Sequence, residues 1–247
     1  MLFYIGVHLT TLARHFDMCF ISVNILKKRK SDFLVNNWIM DSGAFSELLK
    51  YGEYKYSVEE YARDIERWKD CGILEIAVCQ DYMCEPFMLE KTGLTIQEHQ
   101  ALTIERYDKL LTLVSVPIMP VLQGYLSQDY LQHIDMYGDR LKPNMRVGVG
   151  TLCKRNINVA EIISVLDPIK AKCPYLKLHG LGLKTTATSN AYIASLIDSS
   201  DSMAWSFHAR INGRDANSLD EAVLFKDKVE YKLGRKPAQL TLKEIAT

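Results

Sequence analysis

Acidic side chains stand at the ends of several apolar runs in this chain. Asp41 follows Trp-Ile-Met, Asp81 closes Ala-Val-Cys-Gln, and Asp201 opens the run Ser-Met-Ala-Trp-Ser-Phe. Glycosyl transfer needs one carboxylate as nucleophile at the anomeric carbon and a second group that handles the leaving-group proton. The pattern indicates such chemistry, with Asp41 and Asp201 as candidates for these roles and Asp81 left to recognise a ligand. Each aspartate also has a structural alternative, because an aspartate after a strand often caps the next helix.

Polar residues and glycines at the ends of other apolar runs would complete such a site. The candidates for ligand binding are Ser42, Gln123, Gly124, Gly150 and His179. The glycines would let a planar ligand approach the backbone, although glycine after a strand often serves only a turn. His179 would bond the ligand or Asp201, or be a buried structural histidine. The sequence contains no Gly-x-Ser-x-Gly elbow and no phosphate loop ending in Gly-Lys-Ser/Thr.

Short apolar runs alternate with helical patterns along the chain, and no low-complexity linker divides it. Nearly continuous apolar character is typical of parallel strands buried on both faces. Eight strands are predicted, at residues 2–7, 19–24, 38–43, 75–81, 117–124, 145–151, 175–182 and 202–207. This pattern predicts an α/β fold, a single-domain (β/α)8 TIM barrel over residues 1–247, with a doubly wound open sheet as the alternative. In a barrel, the polar residues above would meet at the C-terminal ends of the strands.

Three helices have a capping-box beginning, in which Ser or Thr precedes Glu by three positions. The boxes lie at residues 57–60, 95–98 and 218–221. Weaker helical patterns cover residues 158–173 and 189–198, and residues 25–37 are predicted to form a loop.

Composition favours an ordinary soluble protein. Apolar residues make up 48% of the 247 residues, and no apolar run reaches the roughly 18 residues of a membrane span. The six cysteines form no Cys-x-x-Cys pair, which predicts reduced thiols in a cytoplasm and no cysteine-based zinc site. The beginning Met-Leu-Phe has no basic region or cleavage site, so no secretory signal is expected.

The formal net charge is zero, but the positive charges are unevenly distributed. Residues 27–30 read Lys-Lys-Arg-Lys, and smaller basic groups follow the sixth and eighth predicted strands. These basic groups follow the C-terminal ends of predicted strands, where the site is expected. This position favours a role in phosphate binding over the alternative that they are only solvated loop residues. The candidates for nucleic-acid contacts are Lys28, Arg29, Lys154, Arg155 and Arg210.

Four motifs resemble those of the tRNA-guanine transglycosylases, in the same order. Ile-Met-Asp-Ser-Gly-Ala-Phe around Asp41 resembles their Asp-Ser-Gly-Gly-Phe motif, and Leu-Gln-Gly at Gln123 looks like their Val-Gln-Gly strand end. Val-Gly-Val-Gly-Thr around Gly150 is similar to their glycine-rich base platform. The segment beginning at Asp201 resembles the one that carries the covalent nucleophile of archaeal members. The resemblance covers residues 24–210.

The closer resemblance is to the DNA-modifying branch, the 7-deazapurine DNA transglycosylases of phages and bacterial genomic islands. It rests on the segments at residues 80–86, 153–156, 178–184 and 201–210. It implies exchange of guanine in DNA for a free 7-deazaguanine, typically the 7-cyano form, without a cofactor. The expected location is the cytoplasm of a bacterium or a phage-infected cell.

The resemblance implies roles for the candidate residues. Asp201 would be the nucleophile and Asp41 the general acid/base. Asp81 would read the guanine edge, since a carboxylate accepts the N–H donors of N1 and N2, helped by Gln123 and the backbone around Gly150. The target guanine would be flipped out of the stack or met in single-stranded DNA.

The chain departs from the tRNA enzymes in three respects. Their Cys-x-Cys-x-x-Cys…His zinc motif is absent, so we expect neither a metal site nor the zinc subdomain. Ala44 and Tyr125 stand where those enzymes usually have glycine, and Tyr125 would reshape the pocket or only pack.

Alternatives for the activity stay open. Water as acceptor would make a nucleosidase or base-releasing hydrolase, and tRNA would replace DNA in a tRNA-guanine transglycosylase. A catalytically inactive DNA-binding module is the non-enzyme alternative. The expected partners are DNA, a free 7-deazaguanine and accessory modification proteins, with monomer and homodimer both open.

Overall fold

The computed structural model describes residues 1–155 and 158–235, without the side chains of residues 154 and 185. These residues form one sheet of nine parallel strand segments. The segments are β1 (Leu2–Gly6), β2 (Met18–Ser22), β3 (Asn37–Asp41), β4 (Ile73–Val78), β5 (Ile118–Met119), β6 (Val121–Leu122), β7 (Arg146–Val149), β8 (Lys177–Gly180) and β9 (Ser199–Ser202).

The sheet closes into a barrel at Pro120, which separates β5 from β6. β5 pairs with β4, β6 pairs with β7, and these two segments are the ends of the sheet. The ends therefore belong to one interrupted strand. Pro120 has no N–H to donate, but its carbonyl accepts a hydrogen bond from the Gly148 N–H at 2.9 Å. The predicted (β/α)8 barrel is confirmed, and the open sheet is excluded.

Helices connect the strands and form the outer layer. They are α1 (Thr10–Ala13), α2 (Val23–Leu26), α3 (Ala44–Tyr51), α4 (Val58–Trp68), α5 (Pro86–Thr92), α6 (Ile96–Leu113), α7 (Ser127–Tyr137), α8 (Val159–Lys172), α9 (Thr185–Thr188), α10 (Ala191–Leu196), α11 (Ala204–Ile211) and α12 (Leu219–Lys232). In α4, Val58, Tyr61, Ile65 and Trp68 are buried, the spacing of a helix that packs one face on the sheet. None of the helices in the described ranges combines the length and apolar composition that crossing a membrane requires.

The predicted beginnings of α4 and α6 are confirmed. Ser57 and Thr95 each accept a hydrogen bond from the backbone N–H of the glutamate three positions on, which accepts one in return. At α12, Ser218 accepts from the N–H of Glu221. The predicted loop at residues 25–37 is confirmed for residues 27–36, because residues 25 and 26 end the single turn of α2 and Asn37 begins β3.

The predicted eighth strand at residues 202–207 is wrong. The strand is β9, which begins at Ser199 and ends at Ser202, and residues 204–211 form α11. All four residues of β9 are buried although they are polar, because β9 lies between β1 and β8 and pairs with both. Asp201 therefore lies at the C-terminal end of its strand and not at the start.

A hydrogen-bonded group fills the opposite end of the barrel. The Tyr4 hydroxyl donates to Oε2 of Glu75 at 2.7 Å, and Arg146 donates to Glu75 Oε2 and the Tyr4 hydroxyl, both at 3.0 Å. Arg146 begins β7, and the N-terminal face of a barrel usually serves stability. The C-terminal face is left for ligands.

Candidate active site

The C-terminal ends of the strands surround a cavity of about 420 Å³. Asp41 at the end of β3, Asp81 after β4, Gln123 after β6, Gly150 after β7 and Asp201 on β9 all line it. Parallel strands of a barrel deliver their carboxyl ends to one mouth. The residues predicted from their places at strand ends therefore share one cavity.

Asp201 is held by two groups on a single oxygen. Its Oδ1 accepts from the Gly182 N–H at 2.9 Å and lies 3.2 Å from Nε2 of His179. His179 is fully buried, its Nδ1 lies 2.8 Å from the Ser199 hydroxyl, and its ring stacks on Phe20. Because both contacts use Oδ1, Oδ2 is the oxygen available to a ligand.

Asp41 is half-buried in the cavity wall. The Gly43 N–H donates to its Oδ2 at 3.1 Å, and Ser22, its register partner on β2, also donates to the carboxylate. Burial raises the pKa of Asp41 to about 6, the Ser22 hydrogen bond opposes this rise, and repulsion from Asp201 adds to it. A carboxyl group that titrates near neutrality suits proton transfer.

Asp81 is buried in the wall and hydrogen-bonded to Gln123. Nε2 of Gln123 donates to Oδ2 of Asp81, and Oε1 of Gln123 accepts from the Thr151 hydroxyl at 3.0 Å. Burial raises the pKa of Asp81 to about 7, against the lowering effect of the Gln123 hydrogen bond. A Cβ at Gly150 would lie 2.2 Å from Gln123 Nε2. Glycine at this position is what lets the amide reach Asp81.

The backbone of Gln123 is fixed from behind by α6 and α7. Nε2 of Gln100 donates to the Gln123 carbonyl at 2.7 Å, and the Gln123 N–H donates to Nδ1 of His133 at 2.9 Å. Burial lowers the pKa of His133 to about 3, so the ring is neutral and accepts this bond. The Gln123 amide therefore projects from a rigid support.

Three residues predicted to bind a ligand lie behind the cavity wall. Ser42 is completely buried, and Gly124 packs against α7, where a Cβ would lie 2.7 Å from that of Asp129. His179 lies within hydrogen-bond distance of Asp201, which is one of the two contacts predicted for it. The structure gives these residues supporting positions, and their direct contact with a ligand stays a prediction.

The sequence interpretation missed several residues of the wall. Ser22 ends β2, and His8 follows β1 and stacks on Trp205 with ring centroids 5.3 Å apart. Thr151 follows β7 and orients Gln123. All three stand at strand ends, so the rule that selected Asp41 would also have selected them.

Ala44 and Tyr125 stand where the tRNA enzymes usually have glycine, but only Ala44 lies at the cavity. Ala44 lines the cavity, whereas Tyr125 is exposed and does not belong to the lining. The Arg155 guanidinium lies 5.0 Å from the Tyr125 ring and donates to the Tyr125 carbonyl. Arg155 is therefore engaged within the protein.

The other predicted nucleic-acid contacts differ in their surroundings. Lys28 and Arg210 are exposed. Arg29 donates to a threonine hydroxyl at 2.9 Å and to two backbone carbonyls, so its guanidinium stabilises its own loop. The side chain of Lys154 lies outside the described part. Phosphate contacts by these residues stay predictions.

The six cysteines are free thiols, as predicted. In the described part of the chain, no group of three or more His, Cys, Asp or Glu residues is arranged to hold a metal ion. The polar side chains that line the cavity carry carboxylates, two amides, hydroxyls, a thiol and an imidazole.

Comparison with known proteins gives a match at the level of family. The family model DpdA, DeoxyPurine in DNA protein A, matches residues 1–229. The matched range contains all the strands of the described barrel and the residues that line the cavity. The search of curated proteins finds no match.

Proposed function

Because this chain belongs to the DpdA family (DeoxyPurine in DNA protein A), whose members modify DNA by base exchange, we propose that it exchanges guanine in DNA for 7-cyano-7-deazaguanine. The observation that carries the proposal is the convergence of Asp41, Asp81 and Asp201 on one cavity. The cavity volume of about 420 Å³ falls in the range of small-molecule sites, about 300–1,000 Å³.

The first displacement would form a covalent deoxyribosyl-enzyme. Oδ2 of Asp201 attacks C1′ of the flipped nucleotide, a C1′–O bond forms, and the C1′–N9 bond breaks with its electron pair leaving on guanine. Protonated Asp41 gives its proton to the departing base, so that neutral guanine leaves. The pKa of about 6 means that Asp41 is available in both protonation states near neutrality.

The second displacement would reverse these steps with a new base. Ionised Asp41 takes the N9 proton of the deazaguanine, N9 attacks C1′, and the C1′–O bond to Asp201 breaks. Two displacements at the same carbon retain its configuration. Protons and charge balance over the cycle, since Asp41 returns to its protonated state.

Asp81 and Gln123 would recognise both bases in turn. A carboxylate accepts from N1–H and the N2 amino group, which guanine and 7-deazaguanines share. Burial disfavours the ionised form of Asp81, and hydrogen-bond donors from a bound base would favour it. Base binding and ionisation of Asp81 are therefore coupled.

The test is incubation of DNA with the enzyme and labelled 7-cyano-7-deazaguanine. We expect label in DNA and release of guanine. Asp201→Asn preserves the shape of the side chain and removes its charge, so exchange and any trapped adduct should be lost. Asp70→Asn is the matched control, because Asp70 is exposed, precedes β4 at the opposite end of the barrel and is not part of the cavity lining.

Each other outcome contradicts a defined part of the proposal. Abasic sites without incorporation would make water the acceptor. Label in tRNA but not in DNA would change the substrate, and DNA binding without exchange would indicate a non-catalytic module. Exchange by Asp201→Asn at the parent rate would refute the nucleophile assignment.

A further inference from the structure

The helix that follows the nucleophile strand has an exposed face with an unusual mixture of side chains. Met203, Phe207 and Ile211 have exposed fractions of 46%, 60% and 60%, and Arg210 is exposed beside them. A single exposed apolar side chain needs no explanation, but several on one face of a helix mark an interaction site. We call these four residues the α11 stripe.

The helical repeat places Phe207, Arg210 and Ile211 on one side of α11, and Met203 is the residue directly before its first turn. Positions separated by three or four residues share a helix face, and the residues on the other side, Trp205, Ser206 and Ala209, are buried. The indole N–H of Trp205 donates to the Gly6 carbonyl at 2.7 Å. This bond ties α11 to the end of β1, so the stripe projects from a fixed helix.

The stripe is continuous with the cavity. Met203 lines the cavity and lies two positions after Asp201 in the sequence. A Cβ at Gly6 would lie 2.7 Å from Cβ of Met203, which shows how closely the start of the stripe packs on β1. A nucleotide bound at Asp201 is covalently joined to its neighbours, and these must leave the cavity across its rim.

The chemistry of the stripe fits a nucleic-acid strand. Aromatic side chains stack on bases that are out of the duplex, and arginines hold the phosphates between them. The eight residues of α11 span about 12 Å, and a stacked strand advances about 3.4 Å per nucleotide, so about three nucleotides fit beside the helix. Arg210 also makes the face less suited to an apolar protein partner than to a polyanion.

We propose that the α11 stripe binds the unpaired nucleotides that flank the target guanine. Phe207 stacks on a neighbouring base, and Arg210 contacts the phosphate next to it. The inference rests on the proposed function, because it assumes that the guanine bound at Asp201 belongs to a DNA strand. It adds that the enzyme holds this strand as single-stranded DNA on one side of the target.

Binding of a fluorescent 12-nucleotide single strand with one central guanine tests the proposal. Phe207→Ala should weaken binding by roughly 5- to 150-fold, the usual effect of losing one stacked base, and Phe207→Trp should bind like the parent. Arg210→Ala should lower the magnitude of the salt slope of log Kd by about 0.7, the value for one phosphate contact to a single strand. Ile73→Ala and Lys142→Ala, exposed residues near the opposite end of the barrel, are the controls and should leave Kd unchanged.

The binding assay separates failure of the stripe from failure of the proposed function. If the parent exchanges base and both α11 variants bind and react like the parent, the stripe proposal is overturned and the function stands. If the parent exchanges no base, the function fails, while the Kd comparison still decides whether the stripe binds DNA. A change from dimer to monomer in Phe207→Ala, with Kd unchanged, would assign the stripe to a second copy and overturn the proposal.

Discussion

The added methyl group of Gly150→Ala should impair base recognition. An alanine Cβ there would lie 2.2, 2.4 and 2.6 Å from Nε2, Cδ and Oε1 of Gln123. Since non-bonded carbon contacts are normally about 3.5 Å or more, the amide must retreat by about 1 Å. Gly150 is not among the glycines with positive φ, so alanine adds no backbone strain. The collision falls on the side chain that bonds Asp81 and Thr151.

The expected loss follows from the bonds that break. A hydrogen bond to a charged group contributes about 1.5–3 kcal/mol, which corresponds to about a 10- to 150-fold loss of kcat/KM for the incoming base. The Gln123 bond also lowers the pKa of Asp81, which is about 7 with the bond in place. Without it the pKa of Asp81 rises further, so the ionised form needed for recognition requires a higher pH.

The assay is kcat/KM for labelled 7-cyano-7-deazaguanine between pH 6 and 9 for the parent, Gly150→Ala and Gly148→Ala. The Gly148 control adds the same methyl group two positions earlier in the sequence, against Val121 at 3.2 Å and Leu181 at 3.3 Å. It should cost stability and leave the pH profile unchanged. Gly150→Ala should lose activity at neutral pH and regain part of it at pH 9. A Gly150→Ala enzyme with the parent kcat/KM and pH profile would refute this account of the site.

Further substitutions test other parts of the structure. Folding raises the pKa of Asp81 from 3.8 to about 7, so the stability of the parent should fall as the pH rises from about 4 to 7. In denaturant titrations, Asp81→Asn should therefore be more stable than the parent by up to about 4 kcal/mol at pH 8, with no such gain at pH 4. His179→Gln should lower kcat with little change in KM for DNA; a change in KM alone would place His179 against the substrate. Ser57→Ala removes one capping box and should cost about 1 kcal/mol of unfolding free energy, with exchange unchanged; a loss of exchange in the folded variant would contradict a purely structural role.

The barrel and the positions of its main polar residues could be predicted because both depend on local patterns. Buried parallel strands produce continuous apolar runs, and capping boxes mark helix starts before any tertiary contact forms. Closure of the barrel then brings Asp41, Asp81 and Gln123 together without further information, since each stands at the end of such a run.

The last strand could not be placed from its own residues. Ser-Ser-Asp-Ser has neither the apolar character nor the β-branched residues of a buried strand, and its position is fixed by pairing with β1, where Asp201 is in register with Tyr4. The following apolar residues looked like the strand instead, although only Trp205 among their aromatic side chains is buried and Phe207 faces outward. The internal contacts of Arg29 and Arg155 could not be predicted either, because they depend on the folded loops. The sequence gives the positive charge, but not which backbone carbonyls or aromatic rings lie next to it.

The way the barrel holds its two catalytic candidates argues for one assignment of roles over the reverse. Asp201 has one oxygen fixed by Gly182 and His179, which orients the other oxygen for attack on a carbon. Asp41 is kept partly protonated by burial and by the nearby charge of Asp201, with a pKa of about 6. A nucleophile must be ionised before each turnover, and an acid/base group must exchange a proton twice in each turnover. Reversing the roles would make Asp41, which is partly protonated near neutrality, the attacking group, and would leave both proton transfers to Asp201.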